Sequence, residues 1–212
     1  MENGKPMLCA GVTTYAALRK SGAKCGQWVV IAGAGGGLGH IACQLASRGM
    51  AMRVIGLDSG DKEQLARDCG AEHFIDITKG DDKSVAEEVI KTAGGLGASA
   101  VIVCTANNKA YAQALDFLRF NGTVVCVGIP EGEPQAMAKA HPATMVFKQA
   151  TVTAVAVGNR RDAIECMDFA ARGRWILLSI ECPFLNISRS LEHCLSSIRS
   201  KFMSYPSLKK ES

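Results

Sequence analysis

The chain has 212 residues, of which 48% are hydrophobic and 21% are charged, and its formal net charge is +4. This composition is that of a globular protein and excludes a disordered one, while the mild charge does not favour a nucleic-acid-binding surface. No apolar run reaches the roughly 20 residues of a membrane helix, and the N-terminus lacks a signal-peptide pattern. We therefore expect a soluble, cytoplasmic protein with no membrane or nucleic-acid partner.

Apolar stretches alternate with stretches of helical spacing along most of the chain. The predicted strands are residues 28–31, 52–57, 73–75, 100–104, 123–128 and 152–157. The predicted helices are residues 41–46, 62–69, 84–92, 110–118 and 162–171. Continuously apolar strands alternating with amphipathic helices indicate a parallel sheet that is covered on both faces. We predict an α/β fold, a doubly wound parallel six-stranded sheet (Rossmann fold) with strand order 3-2-1-4-5-6.

A glycine-rich run separates the first predicted strand from the first predicted helix after it. The candidate cofactor-binding residues in this run are Gly33, Gly35, Gly36, Gly37, Leu38 and Gly39. Glycine allows a tight turn and a close approach of the backbone to an anion, and the following helix directs its free N–H groups at the same anion. The run therefore predicts a site for the pyrophosphate of a dinucleotide.

An acidic residue follows at the spacing that a dinucleotide site needs. Asp58 ends the second predicted strand, about 20 residues beyond the glycine run, where a carboxylate can accept hydrogen bonds from an adenosine ribose. Asp61 lies nearby and no arginine follows closely, so a 2′-phosphate would be repelled. We predict NAD rather than NADP. The alternative, a glycine-rich turn with a surface aspartate, does not account for the strand–turn–helix context.

The spacing of the glycines does not select one dehydrogenase family. The run carries one residue more than a strict G-x-G-x-x-G and also satisfies the G-x-x-x-G-x-G of short-chain dehydrogenases. Those enzymes use a tyrosine and a lysine four residues apart, a spacing that Tyr205 and Lys209 have. Pro206 follows the tyrosine and the chain ends soon after, so we interpret this pair as coincidental.

The nine cysteines do not indicate a disulfide framework or a complete zinc motif. Their number is odd and no two form a C-x-x-C pair. Cys104 and Cys126 lie in predicted strands and Cys43 lies in a predicted helix. We expect these three to be buried thiols that behave as small hydrophobic residues.

Several strings resemble the zinc-dependent medium-chain alcohol dehydrogenases, fungal type, in order and spacing over residues 6–173. They are residues 6–15 (PMLCAGVTTY), the glycine run, residues 74–76 (FID), residues 121–123 (NGT) and residues 157–160 (VGNR). The resemblance implies a nicotinamide cofactor, NAD here, that exchanges a hydride with a small alcohol or aldehyde.

The resemblance also implies roles for particular residues. Thr13 is the candidate catalytic residue, near the nicotinamide ring, and Lys62, Val127 and Val157 are further candidate cofactor contacts. Family members pair their coenzyme domains through the edge strand, so we expect a homodimer formed through residues 152–157.

The same resemblance implies a catalytic zinc, for which this chain offers one ligand position. Cys9 occupies the position of one of the family's three protein ligands, and the other two belong to an N-terminal catalytic domain. A catalytic zinc needs about three protein ligands. The four histidines, at positions 40, 73, 141 and 193, lie at unrelated places. We expect Cys9 to be an orphan ligand position and zinc to be absent.

The chain therefore resembles an isolated coenzyme-binding domain. We predict a remnant of the junction helix in residues 1–26, a dinucleotide-binding domain in residues 27–172 and a divergent tail in residues 173–212. Three functions stay open at this point. The first is an NAD-linked, alcohol dehydrogenase-like oxidoreductase that is truncated, the second is a non-catalytic NAD-binding module or partner subunit, and the third is an enzyme that uses the cleft for a redox-neutral reaction.

Overall fold

A single parallel sheet organises the chain in the computed structural model, which describes residues 7–130 and 135–173. The strands are β1 (Trp28–Ala32), β2 (Arg53–Asp58), β3 (His73–Asp76), β4 (Ala98–Val103), β5 (Leu118–Cys126) and β6 (Thr151–Ala154). Their order in the sheet is β3-β2-β1-β4-β5-β6, and every neighbouring pair is parallel. The predicted fold class and strand order are confirmed.

Helices connect the strands and cover both faces of the sheet. The α-helices are α1 (Val12–Lys20), α2 (Gly39–Gln44), α3 (Glu63–Asp68), α4 (Asp82–Thr92), α5 (Asn108–Gln113), α6 (Pro142–Lys148) and α7 (Arg160–Ala171). Wider π-helical turns, Met7–Gly11 and Leu45–Gly49, adjoin α1 and α2, and a 3₁₀ turn, Gly60–Lys62, precedes α3. No helix in the part of the chain that the structure describes is long and apolar enough to cross a membrane.

The central strand β1 shows why the strands are apolar throughout. Val29 and Ile31 belong to one core cluster, and Val30 and Ala32 belong to a second cluster. Successive side chains of a strand point to opposite faces, so both faces of the sheet are buried beneath helices. A continuous apolar run, rather than an alternating one, is the result.

Helix α1 packs into the first of these two cores. Leu18 and Ala17 are fully buried and Val12 is nearly so, in the same cluster as Val29 and Ile31. The buried Tyr15 donates a 2.6 Å hydrogen bond to Glu165 of α7, and Arg19 forms a 2.8 Å ion pair with Asp162. These contacts join the residues before β1 to the last described helix.

Two parts of the sequence differ from their predicted structure. The predicted helix over residues 110–118 is wrong at its C-terminal end, because α5 ends at Gln113 and Leu118 already pairs with Ala98 of β4. The register shifts between Ala98 and Ala100, and Asn121 has a positive φ of 57°. A local irregularity in β5 therefore interrupts the pattern that a strand prediction relies on.

The second difference lies between β5 and β6. Helix α6 was not predicted from the sequence, and β6 ends at Ala154 rather than at residue 157. His141 caps α6, where Pro142 occupies the first helical turn, and Gln149 ends it with a φ of 47°. Helix α6 contains no fully buried residue, and its larger apolar residues, Met145, Val146 and Phe147, are consecutive rather than three or four positions apart, so the helical spacing that a prediction relies on is missing.

We predict that Leu18→Ala lowers the free energy of unfolding by about 2–4 kcal/mol, because it leaves a cavity in a core that the side chain fills completely. Leu96→Ala is the matched control, since Leu96 is 75% exposed, and it should change the free energy by less than about 0.5 kcal/mol. Urea unfolding of both variants measures the difference. Equal effects would contradict the packing of α1 described above.

Candidate cofactor site

The glycine run forms the connection between β1 and α2, and two of its positions exclude any side chain. Gly33 has a φ of +83°, and a Cβ there would lie 3.1 Å from the Cβ of Thr105. A Cβ at Gly39 would overlap the carbonyl oxygen of Gly33. The first and last glycines therefore touch, which closes the turn and starts α2 directly above the end of β1.

The middle of the run differs from its ends. A Cβ at Gly37 would meet nothing within 4 Å, whereas one at Gly35 would overlap the aliphatic chain of Lys62. Leu38 packs partly into the first core and is the residue from which α2 begins. One side of the loop is thus held by neighbouring residues, and the open side at Gly37 is available to a ligand.

Asp58 ties the end of β2 to this loop. Its Oδ2 accepts a 2.8 Å hydrogen bond from the backbone N–H of Gly35, and its Oδ1 accepts one of 2.8 Å from the N–H of Ser59. The structure thus brings together two residues predicted to bind the cofactor. Each carboxylate oxygen has two lone pairs, so each keeps capacity for a further donor such as a ribose hydroxyl.

A cleft of about 80 Å³ opens beside Asp58 at the carboxyl ends of β1, β2 and β4. Its walls include Gly33, Asp58, Ile77, Thr105 and Asn107. Strand order reverses between β1 and β4, and ligands of open α/β sheets bind at that point. The prediction omitted Ile77, Thr105 and Asn107. Each follows a predicted strand by one to three residues, and that position is the signal that could have identified them.

The other predicted site residues lie in α1 and in the segments that follow β5 and β6. Thr13 is buried in α1, and its hydroxyl donates a 3.4 Å hydrogen bond to the carbonyl of Ala156, next to Val157. Val157 is 56% exposed, while Val127 is buried directly after β5. Thr13 thus contacts the segment after β6 that carries Val157. Of the ten predicted cofactor positions, Gly33 and Asp58 are those that line the cleft.

A metal site does not form among the residues that the structure describes. No three histidine, cysteine, aspartate or glutamate side chains in these ranges are close enough together to hold an ion. Cys9 is exposed, and His141 caps α6. The ring of His73 contacts that of Trp28 in a tilted arrangement, with the ring centroids 5.5 Å apart. His193 lies outside the described residues, as do Tyr205 and Lys209. The residues present therefore do not fit the zinc that the resemblance implies.

His40 is a buried residue at the start of α2 rather than a ligand position. Its Nδ1 lies 3.0 Å from the carbonyl oxygen of Gly36, and burial lowers the pKa of the ring. A neutral ring that donates from Nδ1 satisfies this contact. Its Nε2 has no hydrogen-bond partner within the described structure.

The thiols near the sheet are protonated at neutral pH. Burial raises the pKa of Cys43 well above its ordinary value and that of Cys104 to about 12. The prediction of a buried thiol is confirmed for Cys43, whereas Cys104 and Cys126 are partly buried. Protonated thiols are poor metal ligands and poor nucleophiles.

We predict that Gly39→Ala destabilises the protein by about 2 kcal/mol or more, because the new methyl group collides with backbone rather than with a flexible side chain. Gly37→Ala is the matched control within the same loop and should leave the unfolding midpoint within about 1 °C of the wild-type value. Thermal unfolding measures both. A stable Gly39→Ala variant would contradict the loop geometry.

Known proteins share this fold and much of this sequence. The family model described as zinc-binding dehydrogenase matches residues 37–172. Alcohol dehydrogenase 2 of Emericella nidulans is 61% identical over 173 residues, covering 79% of this chain and 47% of that protein. Alcohol dehydrogenase 1 of the same organism is 41% identical over 185 residues, covering 87% and 50%. The chain thus spans about half the length of these relatives.

Solved structures of other proteins show the same architecture. The crystal structure of the alcohol dehydrogenase from Aeropyrum pernix superimposes with a TM-score of 0.69 at 26% identity, covering 80% of this chain and 47% of that one. The family match extends over more than half of the chain, from the glycine loop to the last described helix. This chain belongs to the zinc-binding dehydrogenase family.

Proposed function

We propose that this chain is the dinucleotide-binding part of an NAD(H)-dependent oxidoreductase that transfers a hydride between a small alcohol and its aldehyde. The observation that carries the proposal is the hydrogen bond from Gly35 to Asp58, which joins the loop expected to hold a pyrophosphate to the carboxylate expected to hold a ribose. The names of the relatives, which are alcohol dehydrogenases, support the substrate class.

The charges near Asp58 favour NAD over NADP. Asp61 lies in the turn that follows β2, and its hydrogen bond from Ser59 lowers the pKa of its carboxyl, so this group is ionised at neutral pH. The nearest cation, Lys62, lies 3.3 Å from Asp61. A 2′-phosphate placed beside Asp58 would meet two carboxylates, and like charges in close proximity repel.

The chain's own residues would bind and orient the dinucleotide, which supplies the hydride chemistry when it is bound. The open side of the loop at Gly37 receives the pyrophosphate, and the stem of Lys62 over Gly35 closes the opposite side. Asp58 accepts from the ribose. Thr13, which is hydrogen-bonded to Ala156, and the adjacent Val157 would face the nicotinamide end. We assign no step to zinc, because the described residues do not hold it.

A second candidate function is a non-catalytic NAD-binding module or partner subunit. The observation that favours it is the same lack of converging metal ligands in residues 7–130 and 135–173. Such a module would bind the dinucleotide through Asp58 and the glycine loop and would not oxidise alcohols. Binding is common to the two candidates, so turnover distinguishes them.

We further propose that two copies of the chain associate through the edge strand. Among the residues that the structure describes, strand β6 pairs on one side, with β5, and no strand pairs with its other side. Helix α6 directly precedes this strand and exposes Val146 (71%) and Phe147 (82%). An open edge and an exposed apolar pair both favour association.

We expect NADH to raise the unfolding temperature of the full chain. A ligand at roughly 100 times its Kd stabilises the native state by about 2.7 kcal/mol. Asp58→Asn should weaken NADH binding by about tenfold, because it removes the charge from an acceptor of the ribose hydroxyls. Asp168→Asn is the control, since Asp168 pairs with Arg172 on α7 and lies outside the cleft. The absence of any shift with wild-type protein would overturn both candidate functions.

Incubation with NAD and short primary alcohols then separates the two candidates. The oxidoreductase proposal predicts that NADH absorbance rises above a background without protein, both before and after addition of zinc salts. Binding of NADH without any turnover in either condition would favour the non-catalytic module.

The association proposal predicts a dimer in analytical ultracentrifugation at micromolar concentration. Phe147→Asp should shift the population toward monomer, since it introduces a charge into the exposed apolar pair. Leu96→Asp is the matched control, because Leu96 is similarly exposed but lies in the turn before β4. A monomeric wild-type chain would refute the proposed association.

A further inference from the structure

A second carboxylate lies beside Asp58 at the edge of the cleft. Asp76 ends β3 as Asp58 ends β2, and the two residues are directly paired in the register of these strands. Neighbouring strands lie about 4.8 Å apart, so the backbones of the two aspartates are adjacent. The sequence interpretation used Asp76 only as part of a family string and gave it no role.

The carboxylate of Asp76 packs against the turn that follows Asp58. A Cβ at Gly60 would overlap Asp76 Oδ2, so the carboxylate lies directly over the Cα of Gly60. Gly60 begins the 3₁₀ turn that carries Asp61 and Lys62. The Asp76 carboxylate therefore packs against the backbone of this turn, and a side chain at position 60 would displace the carboxylate or the turn.

Short local hydrogen bonds hold this carboxylate in place. Its Oδ1 accepts from the N–H of Thr78 at 2.9 Å and from the hydroxyl of Thr78 at 2.6 Å. These bonds lower the pKa of Asp76, so the group is ionised at neutral pH. Lys79 lies 3.4 Å from Oδ2, but its side chain is 79% exposed. Lys79 therefore offsets part of the charge of Asp76, although an ion pair this exposed holds the long lysine side chain in place only weakly.

The chain beyond Asp76 continues into the cleft itself. The N–H of Ile77 donates a 3.0 Å hydrogen bond to the carbonyl of Asp58, and the Ile77 side chain lines the cleft beside that residue. The charged groups at this corner are Asp58, Asp61, Asp76, Lys62 and Lys79, together with Lys109, which lines the cleft and forms a 2.8 Å ion pair with Asp82. With Asp82 included, their net charge is negative, and the carboxylates of Asp58 and Asp76 are the ones fixed by backbone donors.

We infer that Asp76 is a further specificity-determining residue, which acts with Asp58 and Asp61 to exclude a dinucleotide that carries a phosphate on the adenosine ribose. This inference rests on the proposed function, because it assumes that the ribose lies at Asp58. Asp76 does not touch the ribose. Its charge acts on the phosphate at a distance, and its contact with Gly60 positions the turn that follows Asp58, so it is a positioning residue. A ribose with a free 2′-hydroxyl meets no added charge, whereas a 2′-phosphate meets the combined field of two fixed carboxylates.

The test is the affinity of the full chain for NADPH and for NADH, measured by fluorescence titration at low ionic strength. Asp76→Asn retains an Oδ1 acceptor for Thr78 and removes the charge. We expect it to tighten NADPH binding by about three- to tenfold and to change NADH binding by less than about twofold. Because the effect is electrostatic, it should shrink strongly at 0.5 M salt.

Asp168→Asn again serves as the control, since it makes the same change in net charge on α7. It should leave the ratio of the two affinities unchanged. A purely structural role for Asp76 would weaken both dinucleotides equally, would lower the unfolding temperature and would be independent of salt. Any of these patterns in Asp76→Asn overturns the inference.

Gly60→Ala tests the contact on which the argument depends. We expect the methyl group to displace the Asp76 carboxylate and to weaken NADH binding several-fold, because the turn next to Asp58 must shift. Asp76→Ala in the same protein should restore binding, since it removes the colliding atom, and the two effects will then be non-additive. Additive effects would overturn the proposed contact.

The two proposals fail in different ways. If wild-type protein binds neither dinucleotide, the proposed function is wrong and the inference falls with it. If NADH binds and Asp58→Asn improves NADPH binding but Asp76→Asn does not, the proposed function stands and the inference about Asp76 is wrong.

Discussion

The contact between Gly33 and Gly39 is the constraint on which the candidate site depends. Because a Cβ at Gly39 would overlap the carbonyl of Gly33, the turn can close only with glycine there, and only a closed turn starts α2 above the end of β1. The hydrogen bond from Gly35 to Asp58 then joins this turn to β2. These two contacts position the cleft and the open side at Gly37.

The rest of the chain keeps that arrangement rigid. The alternating side chains of β1 enter two separate cores, so the strand beneath the turn is held from both faces. Helix α1 adds Leu18 and its neighbours to one of them and places Thr13 beside the segment that follows β6. Residues far apart in sequence therefore meet along the carboxyl edge of one sheet, as is usual for ligand sites in parallel α/β folds.

Family membership and chemistry are separate matters in this chain. The family match and the shared fold concern the dinucleotide-binding part of the protein, that is, the sheet and the glycine loop at its carboxyl edge. The metal chemistry implied by the family needs a cluster of ligands, and the described residues contribute only Cys9 at a ligand position. The geometry therefore supports cofactor binding more directly than it supports catalysis.

The sequence by itself determined the strand order, the glycine loop and the acid at its expected distance, because each depends on a local pattern of apolar, glycine and acidic residues. It could not reveal helix α6, whose larger apolar residues are consecutive rather than helically spaced, or the early start of β5, where pairing with Ala98 outweighs local propensity. Only the tertiary structure placed Ile77 and Thr105 in the cleft and Asp76 over Gly60. Those contacts join neighbouring strands that are separate in the chain, and strand pairing rather than sequence spacing sets their distances.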